Sequence, residues 1–246
     1  MILKWHGGKH YLAPYIVKLL PYHNNYVEPF FGGGAVLFQK PVTGSEVVND
    51  IDSDLVNFWL VVRDKYDDFL RQVTLTPYSE ELWRRAIEGD DVQRAVQFFV
   101  RVRQSMSGRM DCFSPVSKTR LRREINEQVA GWMSAIDKLP EVVERLRTVM
   151  ILNRDALSVI RQLDAVDTCF YLDPPYVPET RTAPQVYKHE LPDHRPLIEL
   201  LRTIKGRAIL SGYQCELYST LGWRRVDIDI ANHAGSGRRT ESLWLK

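Results

Sequence analysis

Short apolar runs alternate with stretches of helical periodicity towards both ends of the chain. Runs bounded by glycine, proline or charged residues have the pattern of buried strands. Strands are predicted at residues 25–28, 45–50, 149–152, 168–172, 208–210 and 242–245. Helices are predicted at residues 155–163 and 193–204. Strands that alternate with helices are typical of a mostly parallel, twisted sheet with helices on both faces, so we predict an α/β fold.

The middle of the chain has a different pattern. Apolar residues recur there at spacings of three and four, which is the helical pattern, at residues 92–102 and 125–136. The segment between these stretches contains glycine, proline and serine but little periodicity. We therefore predict a helical insertion at residues 62–148, within an α/β domain formed by residues 1–61 and 149–246.

The composition is 44% hydrophobic and 26% charged over 246 residues, which predicts a globular protein with a substantial core. The net charge of +2 does not by itself indicate a polyanionic partner. Cys112, Cys169 and Cys215 show no CxxC spacing, so we expect neither a disulfide framework nor a zinc site. A signal-peptide pattern and an apolar run of the ~20 residues that span a bilayer are both missing from the sequence. We therefore expect a cytoplasmic protein with no membrane partner.

Basic residues cluster locally between residues 101 and 123. Seven positive side chains and one acid, Asp111, lie in this window. Positive side chains in a glycine-containing segment between helices suit contacts with nucleic-acid phosphates. The alternative is a solvated charged surface, which such runs usually form. The candidate DNA-binding residues are Arg101, Arg103, Arg109, Lys118, Arg120, Arg122 and Arg123.

A glycine turn follows the first predicted strand. Gly32, Gly33 and Gly34 would let the backbone approach a ligand closely, and a helix start after them would favour a negative group. Asp50 follows the second predicted strand, near the ~20-residue offset at which an acid binds ribose hydroxyls in α/β folds. These features predict a pocket for a ribose-containing ligand. The pattern is not GxGxxG, so a dinucleotide site is a poor fit.

An acid, two prolines and an aromatic ring follow the apolar run at residues 168–172. Asp173 sits at the carboxyl end of this predicted strand, where open α/β sheets bind their ligands. Pro174 and Pro175 stiffen the turn, and Tyr176 adds a ring face. Acceptors and a ring together suit a planar ring that bears an amine. The alternative is a plain strand-to-loop turn with an aspartate cap and a buried tyrosine.

Four motifs, taken in order along the chain, closely resemble those of the Dam-like DNA N6-adenine methyltransferases. They are Lys4–Lys9, Glu28–Val36, Asn49–Ile51 and Asp173–Tyr176. The resemblance implies a Rossmann-like class I S-adenosylmethionine-dependent methyltransferase fold with a helical target-recognition insertion. The family's asparagine and phenylalanine recognition motif is not evident in residues 105–115, so neither its GATC target nor its base-reading residues are carried over.

The resemblance assigns the catalytic role to Asp173, Pro174, Pro175 and Tyr176. Asp173 and the Pro174 carbonyl would accept hydrogen bonds from the 6-amino group of an adenine, and Tyr176 would stack on it. A paired base cannot reach such a pocket, so the adenine must be flipped out of the duplex.

The resemblance also assigns the cofactor contacts. Asp50 would bind the ribose of S-adenosylmethionine, and Lys9 its methionine carboxylate. Asp155 would hydrogen-bond its adenine, although an aspartate at that position is equally a helix N-cap. The implied set is Trp5, Lys9, Phe30, Gly32, Gly33, Gly34, Asp50, Asp155 and Asp173. No metal is expected, because the methyl group is already activated on sulfur.

We therefore expect a site-specific DNA adenine methyltransferase of bacterial or phage origin that acts on double-stranded DNA. A monomer or weak dimer is expected, and a cognate restriction enzyme is a further candidate partner. An RNA adenine or DNA cytosine-N4 methyltransferase stays open because Asp-Pro-Pro-Tyr serves amines generally, as does a non-catalytic DNA-binding protein. The chain has no Pro-Cys dipeptide, which argues against carbon methylation of cytosine through a cysteine adduct.

Overall fold

The structure, a computed structural model, describes residues 2–180, 188–231 and 238–246. The helices are α1 (Ala13–Leu19), α2 (Ser53–Asp64), α3 (Tyr66–Leu75), α4 (Glu80–Arg84), α5 (Asp91–Arg103), α6 (Glu127–Ile136), α7 (Leu139–Leu146), α8 (Ala156–Leu163), α9 (Arg195–Thr203) and α10 (Glu216–Ser219). The strands are β1 (Asn25–Glu28), β2 (Ser45–Asn49), β3 (Leu121–Arg122), β4 (Ile125–Asn126), β5 (Val149–Leu152), β6 (Thr168–Leu172), β7 (Arg207–Gly212), β8 (Arg224–Ala231) and β9 (Arg238–Leu245). Short 3-10 helices occur at Leu37–Gln39, Met106–Gly108 and Pro178–Thr180.

The predicted α/β alternation is confirmed. The strands β1, β5 and β6 have the predicted bounds, and β2 ends one residue earlier than predicted. The predicted strands at residues 208–210 and 242–245 lie inside the longer β7 and β9. Strand β8 and the two-residue strands β3 and β4 were not predicted.

The chain divides into two compact units. The first consists of Met1–Ala13, Gly32–Lys40 and Ser53–Ile151, and the second of Pro14–Phe31, Pro41–Asp52 and Leu152–Lys246. The predicted assignment of residues 62–148 to target recognition remains a prediction.

The seven-stranded sheet has the order β5-β2-β1-β6-β7-β9-β8. Strands β2, β1, β6 and β7 run parallel to one another, whereas β9 is antiparallel to both β7 and β8. Within the second unit, α8, α9 and α10 bury apolar side chains against the sheet in one cluster. Burial of this surface stabilises the unit by the hydrophobic effect and fixes the strand ends beside it. The prediction of a mostly parallel sheet is confirmed.

The first unit contains a helical core. Helix α5 packs against α2, α3 and α4, and α2 also packs against α7. Phe58 stacks on Phe99 with ring centroids 5.6 Å apart, and Trp132 lies 5.0 Å from Phe99. Asp90 and Gln93 form a capping box at the start of α5, satisfying backbone N–H groups that the helix leaves unpaired.

Candidate active site

The carboxyl ends of four neighbouring parallel strands meet at one edge of the sheet in the second unit. The strands lie in the order β2-β1-β6-β7. Asp50 follows β2 and Asp173 follows β6. Because adjacent strands lie about 4.8 Å apart, two strand spacings separate these ends by about 10 Å. The structure therefore brings Asp50 and Asp173 to the same edge, as the sequence predicts.

The segment after β6 is tightly packed. All five residues of β6 are buried, as is Pro174, whereas Asp173 is only partly buried. Tyr176 is 5% exposed, and its ring meets that of Tyr213 edge to face, with centroids 4.7 Å apart and planes at 79°. Tyr213 directly follows β7, so two neighbouring strands together hold the orientation of Tyr176.

Asn49, the last residue of β2, ties three loops together at this edge. Its side-chain Nδ2 donates to the Pro29 carbonyl and to the Arg154 carbonyl, each at 3.0 Å. Its Oδ1 accepts from the Arg154 N–H at 2.9 Å, and its carbonyl accepts from the Phe31 N–H at 2.9 Å. Asn49 is 1% exposed, so these are hydrogen bonds of the interior. Sequence reasoning included Asn49 in a motif but missed its role, because its partners are distant along the chain.

Asp50 is held by a local turn. Its Oδ1 accepts from the Asp52 N–H at 3.0 Å, and its carbonyl accepts from Asn153 Nδ2 at 2.8 Å. An aspartate that bonds the backbone two residues on forms an Asx-turn, which fixes the side-chain rotamer. The Asp50 carboxylate is thus oriented at the strand end and only partly buried.

Two further predicted cofactor residues in the second unit have structural roles. Asp155 accepts from the Ser158 N–H at 2.8 Å and so caps α8, which is the alternative that the sequence left open. Phe30 is partly buried and packs against the core cluster of the sheet.

The glycine turn lies in the first unit, where it accommodates a tryptophan. A Cβ on Gly32 would come within 2.6 Å of Trp5 Nε1, and a Cβ on Gly33 within 2.8 Å of Trp5 Cβ. Gly32 and Gly34 have φ of +50° and +67°, in the region that favours glycine. The prediction that this turn opens onto an α-helix is wrong, since only the 3-10 helix Leu37–Gln39 follows.

Lys9 is also in the first unit and is buried at 5% exposure. Its ammonium donates to the Gly7 carbonyl at 2.7 Å. Its predicted contact with a cofactor carboxylate stays a prediction.

Two arginines of the basic cluster bond main-chain carbonyls within the first unit, and Arg103 is buried whereas Arg101 is partly buried. Arg103 is 8% exposed, and its Nη2 donates to the Gly131 carbonyl at 2.5 Å. Burial lowers the pKa of Arg103 to about 10. Arg101 donates to the carbonyls of Trp83 and Arg85, both at 2.7 Å, and its guanidinium lies 4.9 Å from the Trp83 ring centroid. We therefore do not extend the DNA-binding hypothesis to Arg101 and Arg103.

The other basic residues are exposed. Lys118, Arg120, Arg122 and Arg123 surround the β3–β4 hairpin, and Arg109 lies in the preceding segment. Arg123 and Glu124 both have positive φ, 55° and 65°, as the two central residues of a type I′ turn require. The hairpin thus presents a compact set of cations to solvent.

The described part of the chain shows neither a metal site nor a membrane-spanning helix. No group of three or more His, Cys, Asp or Glu side chains there could hold a metal ion. His194 precedes α9 and its Nδ1 hydrogen-bonds the Tyr218 hydroxyl at 2.8 Å. In the same residues no helix has the length and apolar character needed to cross a bilayer.

A mostly parallel seven-stranded sheet, an acid after β2 and an Asp-Pro-Pro-Tyr segment after β6 define a class I methyltransferase fold. A family model described as D12 class N6 adenine-specific DNA methyltransferase matches residues 5–221, and the chain belongs to this family. The predicted family, fold class and activity, adenine methylation of DNA, are thereby confirmed. Membership in a methyltransferase family implies S-adenosylmethionine as the methyl donor and DNA as the substrate.

Individual relatives agree with the family. The chain is 26% identical over 267 residues to the Type II methyltransferase M1.LlaDCHI of Lactococcus lactis subsp. cremoris, covering 96% of this chain and 90% of the relative. It is 25% identical over 198 residues to a DNA adenine methylase of Serratia marcescens, covering 74% of this chain and 68% of the relative. It is 28% identical over 194 residues to the DNA adenine methylase of Escherichia coli K12, covering 74% of this chain and 66% of the relative.

Proposed function

We propose that this chain methylates the 6-amino group of an adenine that is flipped out of duplex DNA, with Asp173 as the central catalytic residue. The observation that supports this most strongly is the position of Asp173. It is a partly buried carboxylate at the carboxyl end of a central strand, next to a stiff Pro174-Pro175 turn and the oriented ring of Tyr176. Two acceptors and a ring face are what a planar amine requires.

The proposed chemistry follows from the properties of the amine. The lone pair of an adenine amino group is delocalised into the ring, so the nitrogen is a poor nucleophile. Hydrogen bonds to the Asp173 carboxylate and the Pro174 carbonyl would draw the nitrogen towards tetrahedral geometry and stabilise the positive charge that develops on it. Such stabilisation acts by positioning and by electrostatics aimed at the transition state.

Tyr176 is proposed to stack on the flipped-out base. Its ring is 5% exposed, so the side chains that cover it have to separate when a base enters. The edge-to-face contact with Tyr213 holds the ring orientation from the side of β7. A base enters more easily when it is already unpaired, because unstacking and unpairing of a duplex base cost a few kcal/mol.

The second unit fits the adenosine part of S-adenosylmethionine at Asp50. The Asx-turn holds the Asp50 carboxylate in one orientation, which suits hydrogen bonds from ribose hydroxyls. Asp155 keeps its cap and has a second carboxylate oxygen for the adenine amine. When bound, S-adenosylmethionine supplies a methyl group already activated on a sulfonium. Phe30 and Asp173 complete the contacts that we propose for this unit.

In the first unit the proposed contacts are Trp5, Lys9 and the glycines Gly32, Gly33 and Gly34. Gly32 and Gly33 are explained by their packing against Trp5. The proposed contact of the three glycines with the ligand therefore depends on the family resemblance. An aromatic ring such as that of Trp5 suits a sulfonium cation.

The test of the catalytic proposal is Asp173→Ala. We expect loss of methyl transfer, measured with tritiated S-adenosylmethionine and DNA, while cofactor binding largely survives. The methylated base is identified after digestion of the DNA to nucleosides. Asp167→Ala is the control, because Asp167 is exposed and precedes the other end of β6. Activity of Asp173→Ala comparable with that of the control would contradict the assignment.

We propose further that the exposed cations of the hairpin region bind DNA phosphates. The residues are Arg109, Lys118, Arg120, Arg122 and Arg123. Arg120 has a side-chain exposure of 75%, and its Nη1 lies 3.5 Å from the Glu127 carboxylate. A contact this exposed contributes little to stability, so the charge is available to a polyanion. Duplex DNA is the proposed partner, and a restriction enzyme and the monomer or weak dimer state stay predictions.

The test of this surface is the triple change of Arg120, Arg122 and Arg123 to Glu. We expect a sharp rise in the DNA dissociation constant and a fall of up to about 3 in the slope of log K against log salt, since each phosphate contact contributes about 0.9. The control changes Arg71, Arg84 and Arg147 to Glu. It alters the net charge equally at side chains that are also about two-thirds exposed. Equal effects of the two triple variants would remove this surface from the proposal.

A further inference from the structure

A buried carboxylate next to the proposed ribose site is paired with a lysine from the chain that follows the catalytic motif. Asp52 Oδ1 accepts from Lys188 Nζ at 2.8 Å, and the Asp52 side chain is 5% exposed. His189 Nε2 lies 3.8 Å from the same oxygen. All three residues belong to the second unit. The pair therefore joins the segment after β2 to the chain beyond Tyr176.

Asp52 is also directly connected to Asp50. The Asp52 N–H donates to Asp50 Oδ1 at 3.0 Å, so the position of Asp52 sets the rotamer of the Asp50 carboxylate. Asp50 itself is anchored to the end of β5 through Leu152 and to the following loop through Asn153. Leu152 and Asn153 thus hold the Asp50 backbone, and Asp52 orients the Asp50 carboxylate.

We propose that Lys188 is a positioning residue for the methyl donor, acting through Asp52 on Asp50. This inference rests on the proposed function, because it takes Asp50 as the ribose-binding acid. The charge of Lys188 holds Asp52 in place, and Asp52 holds the Asp50 carboxylate in the orientation that accepts ribose hydroxyls. By linkage, occupancy of Asp50 then stabilises the pair of Asp52 with Lys188.

The strength of the pair lies between two limits. Asp52 is almost fully buried, whereas the Lys188 side chain is 48% exposed. Loss of an exposed ion pair changes a folding or binding equilibrium only a few-fold, whereas removal of one partner of a fully buried pair changes such an equilibrium far more. For this half-buried pair we expect about a tenfold change in cofactor affinity.

The pairing also separates this inference from the simpler role of a lysine as a phosphate contact. A lysine that binds DNA would change DNA affinity and leave cofactor affinity intact in the absence of DNA. A positioning lysine would change cofactor affinity without DNA. The KM for the donor should therefore rise more than kcat falls.

The experiment compares Lys188→Met, which keeps the aliphatic stem and removes the charge, with Lys188→Arg, which keeps the charge. Lys205→Met is the matched control, because Lys205 is exposed and its N–H, which the change leaves in place, donates to Asp164. Binding of S-adenosylmethionine is measured by calorimetry without DNA, and binding of duplex DNA by anisotropy without cofactor. Lys188→Gln is a second neutral variant in case Lys188→Met does not fold.

The expected result is a dissociation constant for S-adenosylmethionine about tenfold higher in the neutral variants, within about threefold of wild type in Lys188→Arg, and unchanged in Lys205→Met. DNA affinity should be unchanged in all of them. Unchanged cofactor affinity in Lys188→Met, equal losses in Met and Arg variants, or a loss confined to DNA binding would each overturn the inference. If the wild-type protein did not bind S-adenosylmethionine, the proposed function itself would fall, which is a distinguishable outcome.

Discussion

Asn49 provides the sharpest test of how the strand-end loops are held. The proposed change is Asn49→Ala, which removes three side-chain hydrogen bonds to Pro29 and Arg154 and leaves the backbone bonds of β2 in place. Because Asn49 is 1% exposed, water does not replace the lost partners without a rearrangement of the loops. The substitution therefore separates the three loops from one another without altering the apolar core.

The magnitude follows from the number of hydrogen bonds. A net contribution of about 1 kcal/mol for each intramolecular hydrogen bond gives a loss of about 3 kcal/mol in the free energy of unfolding. For a chain of this size, 1 kcal/mol lowers the melting temperature by about 2–4 °C, so a fall of about 6–12 °C is expected. Catalytic efficiency should fall as well, because Asp50 directly follows the released residue.

The assay is urea denaturation followed by circular dichroism, with thermal melting as a second measurement. Asn153→Ala is the control, because Asn153 is exposed and its Nδ2 donates to the Asp50 carbonyl. We expect the control to lose about 1 kcal/mol or less. A loss for Asn49→Ala as small as that of the control would refute the reasoning, since it would show that the loops hold their positions without Asn49.

Two further predictions concern the first unit. Gly32→Ala should lose at least about 1 kcal/mol more stability than Gly222→Ala. Both glycines have positive φ, but only a Cβ on Gly32 would meet Trp5 within 3 Å. Equal losses in urea denaturation would exclude the clash as the cause. Burial lowers the pKa of Lys4 from 10.5 to about 8, so the folded protein loses this proton before the unfolded chain does, and stability rises with pH between these values. The stability of Lys4→Met relative to wild type should therefore fall as pH rises across that range, by at most about 3 kcal/mol. A difference in denaturation midpoints that is the same at every pH would contradict the assignment.

The strands could be predicted because their signals are local. The run at residues 168–172 is buried at every position. Its period and length were therefore sufficient to predict a strand. The alternation of Val226, Ile228 and Ile230 with aspartates in β8 was a similar signal that the prediction missed. The β3–β4 hairpin had no such signal. Its turn is Arg123-Glu124 in place of the usual Asn-Gly, and non-glycine residues with positive φ leave no mark in the sequence.

The candidate site was predictable where residues act from strand ends and not where they act through distant partners. Asp50 and Asp173 were found because the carboxyl ends of parallel strands meet at one edge. The pair of Asp52 with Lys188 joins positions that only the folded chain brings together.

The burial of Arg103 could have been predicted from the sequence. It lies four residues after Phe99 and seven after Val96, so the same helical period that predicts the apolar face of α5 also places Arg103 on it. The positive charge of Arg103 favours exposure, whereas its spacing along the helix indicates burial.

The two groups of residues proposed to act on DNA differ in how firmly they are held, and this difference divides their effects. Asp173 and Tyr176 follow a fully buried strand and are constrained by two prolines and the ring of Tyr213. The hairpin cations extend from a ladder of two residues per strand and are exposed. Catalysis by positioning loses rate when geometry shifts, whereas attraction to a polyanion depends on charge more than on exact placement. Conservative changes such as Arg122→Lys should therefore be tolerated at the hairpin, while changes as small as Asp173→Asn should not be tolerated at the strand end.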